Sequence, residues 1–199
     1  KGGSLAIFDS KHVQITNCTF VKNYAVKDGG SINMVNVAKV GIVCCIFKSS
    51  TCTLSGGAMQ ITGSSKILVK NSSVEQSFAY AGAGFYITGS KSSHLIVLSH
   101  NDFQNNTAVR HGSNVYIVRF ETVIFYKGKN QCSRAKIGQG GAMLIQHVKS
   151  VSIFGLLLYY NIALFSSGGA LSLSDIYHIR IVNCKYICNS AGLEGGAVV

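Results

Sequence analysis

The sequence predicts an all-β fold, a right-handed parallel β-helix (solenoid) of about seven coils of 26–30 residues. Glycine recurs at a nearly constant interval, the same residue types return at fixed offsets within each interval, and proline is absent. Internal periods of roughly 20 to 50 residues are typical of solenoids. We expect residues 1–199 to form a single β-helix segment of a longer chain. The repeats start at Gly2, Gly29, Gly56, Gly82, Gly112, Gly140, Gly168 and Gly195.

The composition of the chain excludes three other structural classes. Of the 199 residues, 47% are hydrophobic and 13% are charged, whereas a disordered chain would carry more charge and more proline. Collagen is excluded because the chain lacks proline and the Gly-x-y period. The longest apolar stretch, residues 151–165, is shorter than the ~20 residues of a transmembrane helix. We therefore expect no transmembrane helix in this segment.

Each repeat is expected to begin at a glycine corner and to continue into two or three short strands. Glycine gives the backbone the freedom for a sharp corner, and alternating runs such as residues 13–15, 40–42 and 151–153 indicate half-buried strands. Parallel strands lie about 4.8 Å apart, so equal positions of successive repeats should stack. Right-handed winding is the strong default for parallel connections. Five residues after each start lies an aliphatic column that should face the core: Ile7, Met34, Ile61, Ile87, Ile117, Ile145 and Leu173.

Later in each repeat, a polar position follows an aromatic or aliphatic position by three residues. The irregular fifth repeat is aligned here through Ala135. Stacked amides and hydroxyls can satisfy one another and the turn backbone, so this column predicts a structural polar ladder. Its members are Asn23, Ser50, Ser77, Asn106, Ser133, Asn161 and Asn189.

Two motifs carry a resemblance to a known family. Gly-Gly-Ala followed by an aliphatic residue or Met occurs at residues 56–59, 140–143, 168–171 and 195–198, and Phe-x-x-Asn occurs at residues 20–23 and 103–106. These motifs resemble the repeats of the chlamydial polymorphic outer membrane proteins, and similar repeats occur in large surface proteins of some protists. The resemblance implies a right-handed β-helix exposed on the cell surface or outside the cell and used in adhesion. Its partners would be other protein chains or surface glycans.

The acidic residues are too few and too scattered to predict a catalytic site. The chain has seven of them, and a glycosidase needs two carboxyl groups about 5 to 9.5 Å apart. Asp9 and Asp175 share a column but lie six coils apart. Motifs for a nucleophile elbow, a phosphate-binding loop and a dinucleotide site are also missing from the sequence. We expect no catalytic residue, no metal site and no cofactor.

Three functions are compatible with these observations. The first is a non-catalytic rod that acts as an adhesin-like or structural scaffold. The second is a carbohydrate-active β-helix enzyme similar to pectate lyases, with its site outside this segment or poorly represented in it. The third is a component that assembles end to end through its open coils, because exposed strand edges favour association.

The net charge of +11 is the main functional signal. Stacking would align one basic position of successive coils into a stripe, with Lys91 beside it, and the fifth repeat holds a second concentration of cations. Such surfaces can bind a polyanion, although exposed columns also carry charge for solubility alone. We predict no specific nucleic-acid partner. The predicted polyanion-binding residues are His12, Lys39, Lys66, His94, Lys127, Lys129, Arg134 and Lys136.

The seven cysteines and three glycosylation sequons complete the candidate sites. Cys18 and Cys45 occupy one column on adjacent coils, which is within disulfide reach. Cysteine is also a small buried residue that stacks well, so both the disulfide and the free thiols remain open. The sequons begin at Asn17, Asn71 and Asn105.

Overall fold

The chain folds as a parallel β-solenoid of about seven turns, as the sequence predicts. The computed structural model describes residues 2–90 and 92–199. Within these residues, all paired strands run parallel, and no helix is present. Accordingly, no described segment forms a helix long and apolar enough to span a membrane.

The described residues form 22 strands. Their bounds are β1 (Leu5–Phe8), β2 (His12–Thr16), β3 (Thr19–Val21), β4 (Tyr24–Ala25), β5 (Ile32–Val35), β6 (Lys39–Val43), β7 (Ile46–Lys48), β8 (Thr51–Cys52), β9 (Met59–Thr62), β10 (Lys66–Lys70), β11 (Ser73–Glu75), β12 (Phe78–Ala79), β13 (Phe85–Thr88), β14 (Leu95–Gln104), β15 (Thr107–Ala108), β16 (Val115–Gln131), β17 (Arg134–Ala135), β18 (Met143–Tyr159), β19 (Ile162–Ala163), β20 (Leu171–Val182), β21 (Lys185–Ile187) and β22 (Ser190–Ala191).

Each coil has four walls, which we label A to D in chain order. In the first coil, walls A, B, C and D are β1, β2, β3 and β4. The long strands β14, β16, β18 and β20 cover more than one wall, because they turn a corner without losing their pairing. Walls A, B and C belong to one sheet of 15 strands, and wall D forms a second sheet of 7 strands.

Strand register in wall A confirms the aliphatic column predicted five residues after each repeat start. Successive coils pair Ile7 with Met34, and the pairing continues through every coil to Leu173. The five middle members are fully buried. Like residues stack here because equal positions meet across one strand spacing.

Most corners of the solenoid are turned through residues in the left-handed region. Among the described residues, the fourth coil has none between walls A and B. The repeat-start glycines from Gly29 to Gly195 form one such column, with φ between 52° and 71°. Three further columns use other residues, among which Asn and Asp are favoured because their short polar side chains tolerate this conformation. These columns are Asp9, Asn36, Gly63, Arg119, His147 and Asp175 between walls A and B; Asn17, Cys44, Asn71, His100, Lys127, Gly155 and Asn183 between walls B and C; and Lys22, Ser49, Gln76, Asn105, Cys132, Tyr160 and Cys188 between walls C and D.

The second glycine of a repeat has a different role from the first. Gly56 has a φ of 71°, whereas Gly57 lies where a Cβ atom would collide with the carbonyl oxygens of Ala83 and Phe78 on the next stretch of backbone. The missing side chain therefore lets neighbouring coils approach closely.

The interior holds one large apolar core and one smaller cluster. Aromatic rings bridge walls and coils in the large core, since Phe47 stacks on Phe20 at 5.0 Å and meets Phe85 edge-on at 5.9 Å between ring centroids. The smaller cluster lies under wall D. Its members are Ala25, Cys52, Ala79, Ala83 and Ala108.

Candidate functional site

The seven predicted ladder residues lie at one corner, between walls C and D. Hydrogen bonds join the members from Ser77 to Asn189 along the axis, and Asn23 and Ser50 both bond the Ser31 hydroxyl. The amide of Asn106 is fully buried; its Oδ1 accepts from the Ser77 backbone N–H at 2.8 Å, and its Nδ2 donates to the Val74 carbonyl at 3.0 Å. Asn161 repeats this arrangement, accepting from the Ser133 backbone N–H at 3.2 Å. Ser50, Ser77 and Ser133 are also buried, whereas Asn23 and Asn189, in the end coils, are half-buried. These side chains serve the backbone and are turned away from solvent.

Three further polar residues join this buried network from other columns. Asn114 Oδ1 accepts from Asn106 Nδ2 at 2.9 Å and from Ser133 Oγ at 2.8 Å, while Asn114 Nδ2 donates to Asn130 Oδ1 at 3.0 Å. At the other end of the rod, the Ser31 and Ser50 hydroxyls are bonded at 2.7 Å. In the sequence, the only sign of Asn114, Asn130 and Ser31 as partners is that each is a polar residue at a repeat position where other coils have small or apolar residues.

The Cys18–Cys45 disulfide candidate is not formed in the structure. All seven cysteines lie within the described residues, and all seven thiols are free. Cys18 and Cys45 each donate a thiol hydrogen bond to the carbonyl two residues earlier, at 3.3 and 3.4 Å. Ser72, the next member of the column, makes the same bond through its hydroxyl. The position therefore favours a small side chain that donates a hydrogen bond to the backbone at the corner. Burial raises the pKa of the Cys45 thiol.

Wall B presents the basic face of the rod. Register aligns its seven segments, residues 12–16, 39–43, 66–70, 95–99, 122–126, 150–154 and 178–182. None of these segments contains an acidic residue. The cationic side chains exposed on this wall are His12, Lys39, Lys66, Lys70, His178 and Arg180.

Three of the predicted residues form a row at the start of wall B. His12 pairs with Lys39, and Lys39 pairs with Lys66, so the three side chains occupy successive coils about 4.8 Å apart. They border a groove of about 310 Å³. Gly41 lies at the base of the groove, and the Gln14 side chain occupies the space that a Gly41 side chain would need. The other lining residues are Val40, Ile67, Leu68, Leu95 and Val97.

His94 is not a member of this row, contrary to the sequence prediction. Lys66 pairs with Leu95, so His94 lies one position before the column. The reason is that six residues join walls A and B in the fourth coil, whereas three join them in the other coils. His94 instead bonds Glu121 through Nδ1 at 2.7 Å. Lys91, which the sequence places beside the row, lies outside the described residues.

The four cations of the fifth coil do not converge on one surface. Lys127 lies at the corner between walls B and C, and its ammonium group is 5.4 Å from the Tyr126 ring centroid. Lys129 is in wall C, next to Asp102 of the preceding coil. Arg134 begins the wall D strand, and Lys136 follows that strand, with its ammonium group 6.0 Å from the Phe78 ring. Together with His94, they show that the predicted set spans several sides of the rod.

Wall B also carries apolar and aromatic side chains among its cations. Leu68 and Tyr126 are exposed, and the Arg180 guanidinium lies 5.3 Å from the Phe154 ring. The wall therefore combines cations with exposed apolar and aromatic side chains. Such side chains can contact the apolar faces of rings in a polymer.

A cleft of about 490 Å³ lies beside the start of wall B on the later coils. Arg119, His147 and Asp175 stack there on successive coils, and His147 Nδ1 lies 3.1 Å from Asp175 Oδ2. Glu121 lines the same cleft, as does Tyr177. The hydrogen bond from His94, together with its charge, holds the pKa of the exposed Glu121 carboxyl below its usual range.

Two acidic residues, Glu121 and Asp175, line this cleft. Glu121 lies two positions along the chain from the Asp175 column, and two coils separate the two residues. By strand spacing, their backbones are roughly 12 Å apart, and each carboxylate is already paired with a histidine. A general acid needs a raised pKa, whereas that of Glu121 is lowered. Among the described residues, no three His, Cys, Asp or Glu side chains are grouped to hold a metal ion.

The three sequon asparagines lie at exposed corners. Asn17 and Asn71 share the column between walls B and C, and Asn105 lies in the column between walls C and D. All three are exposed and adopt positive φ. These positions place the asparagine amides where an attached sugar would extend into solvent.

Comparison with protein families, with curated proteins and with solved structures finds no match to this chain. The parallel β-solenoid is therefore established by the strand pairing itself. The resemblance to polymorphic outer membrane protein repeats rests on the two sequence motifs.

Proposed function

We propose that this chain is a non-catalytic segment of a β-helix rod, exposed on the cell surface or outside the cell, and that wall B binds an acidic polysaccharide. The observation that carries the proposal is the row of His12, Lys39 and Lys66 beside a groove on a wall without acids. An adhesin-like scaffold would use such a wall to hold surface glycans.

The repeat of the row supports a polymer as the ligand. Three cationic positions follow one another along the axis at about 4.8 Å. An extended chain with regularly spaced sulfate or carboxylate groups can meet all three at once, whereas a small anion meets one. Releasing counterions from such a polymer makes binding strongly dependent on salt.

The proposal predicts a site-specific loss of affinity. We expect Lys39→Glu/Lys66→Glu to lower the affinity for heparin about tenfold or more near 0.1 M salt, because two attractions become repulsions. The slope of log affinity against log salt should fall by about 1 to 2. Titration calorimetry at several salt concentrations measures both quantities.

Lys48→Glu/Lys185→Glu is the matched control, since it makes the same change of net charge on wall C. It should lower the affinity less than threefold by the reduced net charge alone. Equal losses in the two double variants would mean that the row serves only solubility. A non-catalytic rod should also leave the polymer uncleaved, so the length of the heparin chains should be the same before and after the titration.

A carbohydrate-active function at the cleft is the second candidate. The observation that favours it is that Glu121 and Asp175 line one cavity together with the His147 imidazole, which bonds Asp175. Shortening of an acidic polysaccharide by the purified chain, stopped by Asp175→Asn, would replace the non-catalytic proposal with this one.

A further inference from the structure

The edge of the rod that follows wall D carries a line of large apolar side chains. One or two project from nearly every coil just after or within the wall D strand, and backbone hydrogen bonds join successive coils there. We call this line the apolar ridge. It consists of Tyr24, Val26, Leu54, Phe78, Tyr80, Ile137, Phe165 and Leu193.

The ridge is unusually exposed for its residue types. Val26 is 68% exposed, Phe165 70% and Leu193 73%. The line runs parallel to the axis for six coil spacings, or about 29 Å. The fourth coil contributes no member, and Arg110 lies at this edge there. Exposed apolar side chains gathered along one edge of six coils mark an interaction surface, whereas isolated exposed apolar residues do not.

The charges along the ridge identify the kind of partner. In the second to sixth coils, the wall D segments and the loops after them contain Arg110, Arg134 and Lys136 and no acidic residue. The first and last coils add Lys27, and the acids Asp28 and Glu194 lie only there. A second copy docked ridge to ridge would bring like charges together, which is unfavourable.

We propose that the apolar ridge docks the rod lengthwise on an anionic lipid membrane surface. The apolar side chains enter the boundary between headgroups and acyl chains, and Tyr24 and Tyr80 suit that boundary because their rings are apolar and their hydroxyls polar. Arg134 and Lys136 meet the anionic headgroups. Backbone groups stay paired between coils, so docking exposes no unsatisfied strand to lipid. This inference is independent of polysaccharide binding on wall B.

Vesicle co-sedimentation tests the proposal. The protein should partition at least tenfold more strongly onto phosphatidylcholine vesicles with 30% phosphatidylglycerol than onto pure phosphatidylcholine vesicles. Phe165→Ser/Leu193→Ser should lower the partition onto the anionic vesicles about tenfold, and Arg134→Glu/Lys136→Glu should remove the preference for anionic lipid. Thermal melting checks that these exposed substitutions leave the fold intact.

The control is Tyr177→Ser, which removes a side chain that is 85% exposed beside the cleft, and it should bind like the unchanged chain. Lys39→Glu/Lys66→Glu should also retain vesicle binding, which separates lipid docking from polysaccharide binding. Equal partition onto both vesicle types, or equal losses in the ridge and Tyr177 variants, would overturn the proposal. A dimer in lipid-free solution that Phe165→Ser/Leu193→Ser abolishes would overturn it in favour of a second copy.

Discussion

Replacing Phe47 by Ala should lower the free energy of unfolding by about 3 to 5 kcal/mol, which is typical of a buried Phe-to-Ala change. Phe47 is fully buried, stacks on Phe20 and meets Phe85 edge-on. The substitution removes buried apolar surface and the contacts with both rings. It also leaves a cavity that cannot collapse, because backbone pairing fixes the spacing of the coils. Urea denaturation followed by circular dichroism measures the change.

Phe8→Ala provides the matched control, since Phe8 lies in the first coil and is 51% exposed. The loss there should stay below about 1 kcal/mol, because much of the ring remains in water. Comparable losses in the two variants would contradict the placement of Phe47 in the core.

The second large effect is expected at the ladder. Asn106→Leu should destabilise the fold by about 3 kcal/mol, since the Ser77 N–H and the Val74 carbonyl lose their buried partner and Asn114 Oδ1 loses one of its two donors. Each orphaned group costs about 1 to 3 kcal/mol, and the burial of Leu offsets only part of that sum.

Asn105→Asp is the neighbouring control. Asn105 is exposed and left-handed, and Asp tolerates that conformation, so its effect should stay within about 0.5 kcal/mol. If Asn106→Leu unfolds at the same urea concentration as Asn105→Asp, the ladder does not stabilise the rod.

The fold could be predicted from the sequence because each coil of a solenoid repeats the same residue types at a nearly constant interval. Glycine marked each coil, and the Ile7 to Leu173 column fixed the register of wall A. The alignment through Ala135 placed Ser133 opposite Asn106, which is where the strand register has it. Each column position is constrained by the equivalent residues of both neighbouring coils, so an irregular repeat can be aligned through the repeats on either side of it.

The parts that sequence did not predict lie where this constraint is weak. Six residues join walls A and B in the fourth coil, and sequence alone could place the three extra residues on either side of His94. The same loop borders the cleft that Glu121 and Asp175 line. Non-glycine corners were also missed, because a left-handed backbone at residues such as Lys127 or Cys132 has no residue-type signature.

The sequence predicted which residue types are available for binding better than it predicted which of them share a surface. The row of His12, Lys39 and Lys66 followed from stacking, because all three lie in segments of equal length. The cations of the fifth coil are close in sequence, but a chain that turns four corners per coil sends them to different walls. The sequence did not predict the apolar ridge, because its residues lie within or just after a two-residue strand, which is too short to show an alternating pattern.

Lysine footprinting with heparin is the most direct test of the central claim that wall B is the binding face. Acetylation of each lysine would be followed by mass spectrometry with and without the polymer. The account predicts that Lys39 and Lys66 become protected, while Lys48 and Lys185 on wall C react as before. Protection spread evenly over all lysines, or confined to Lys127 and Lys129, would contradict it.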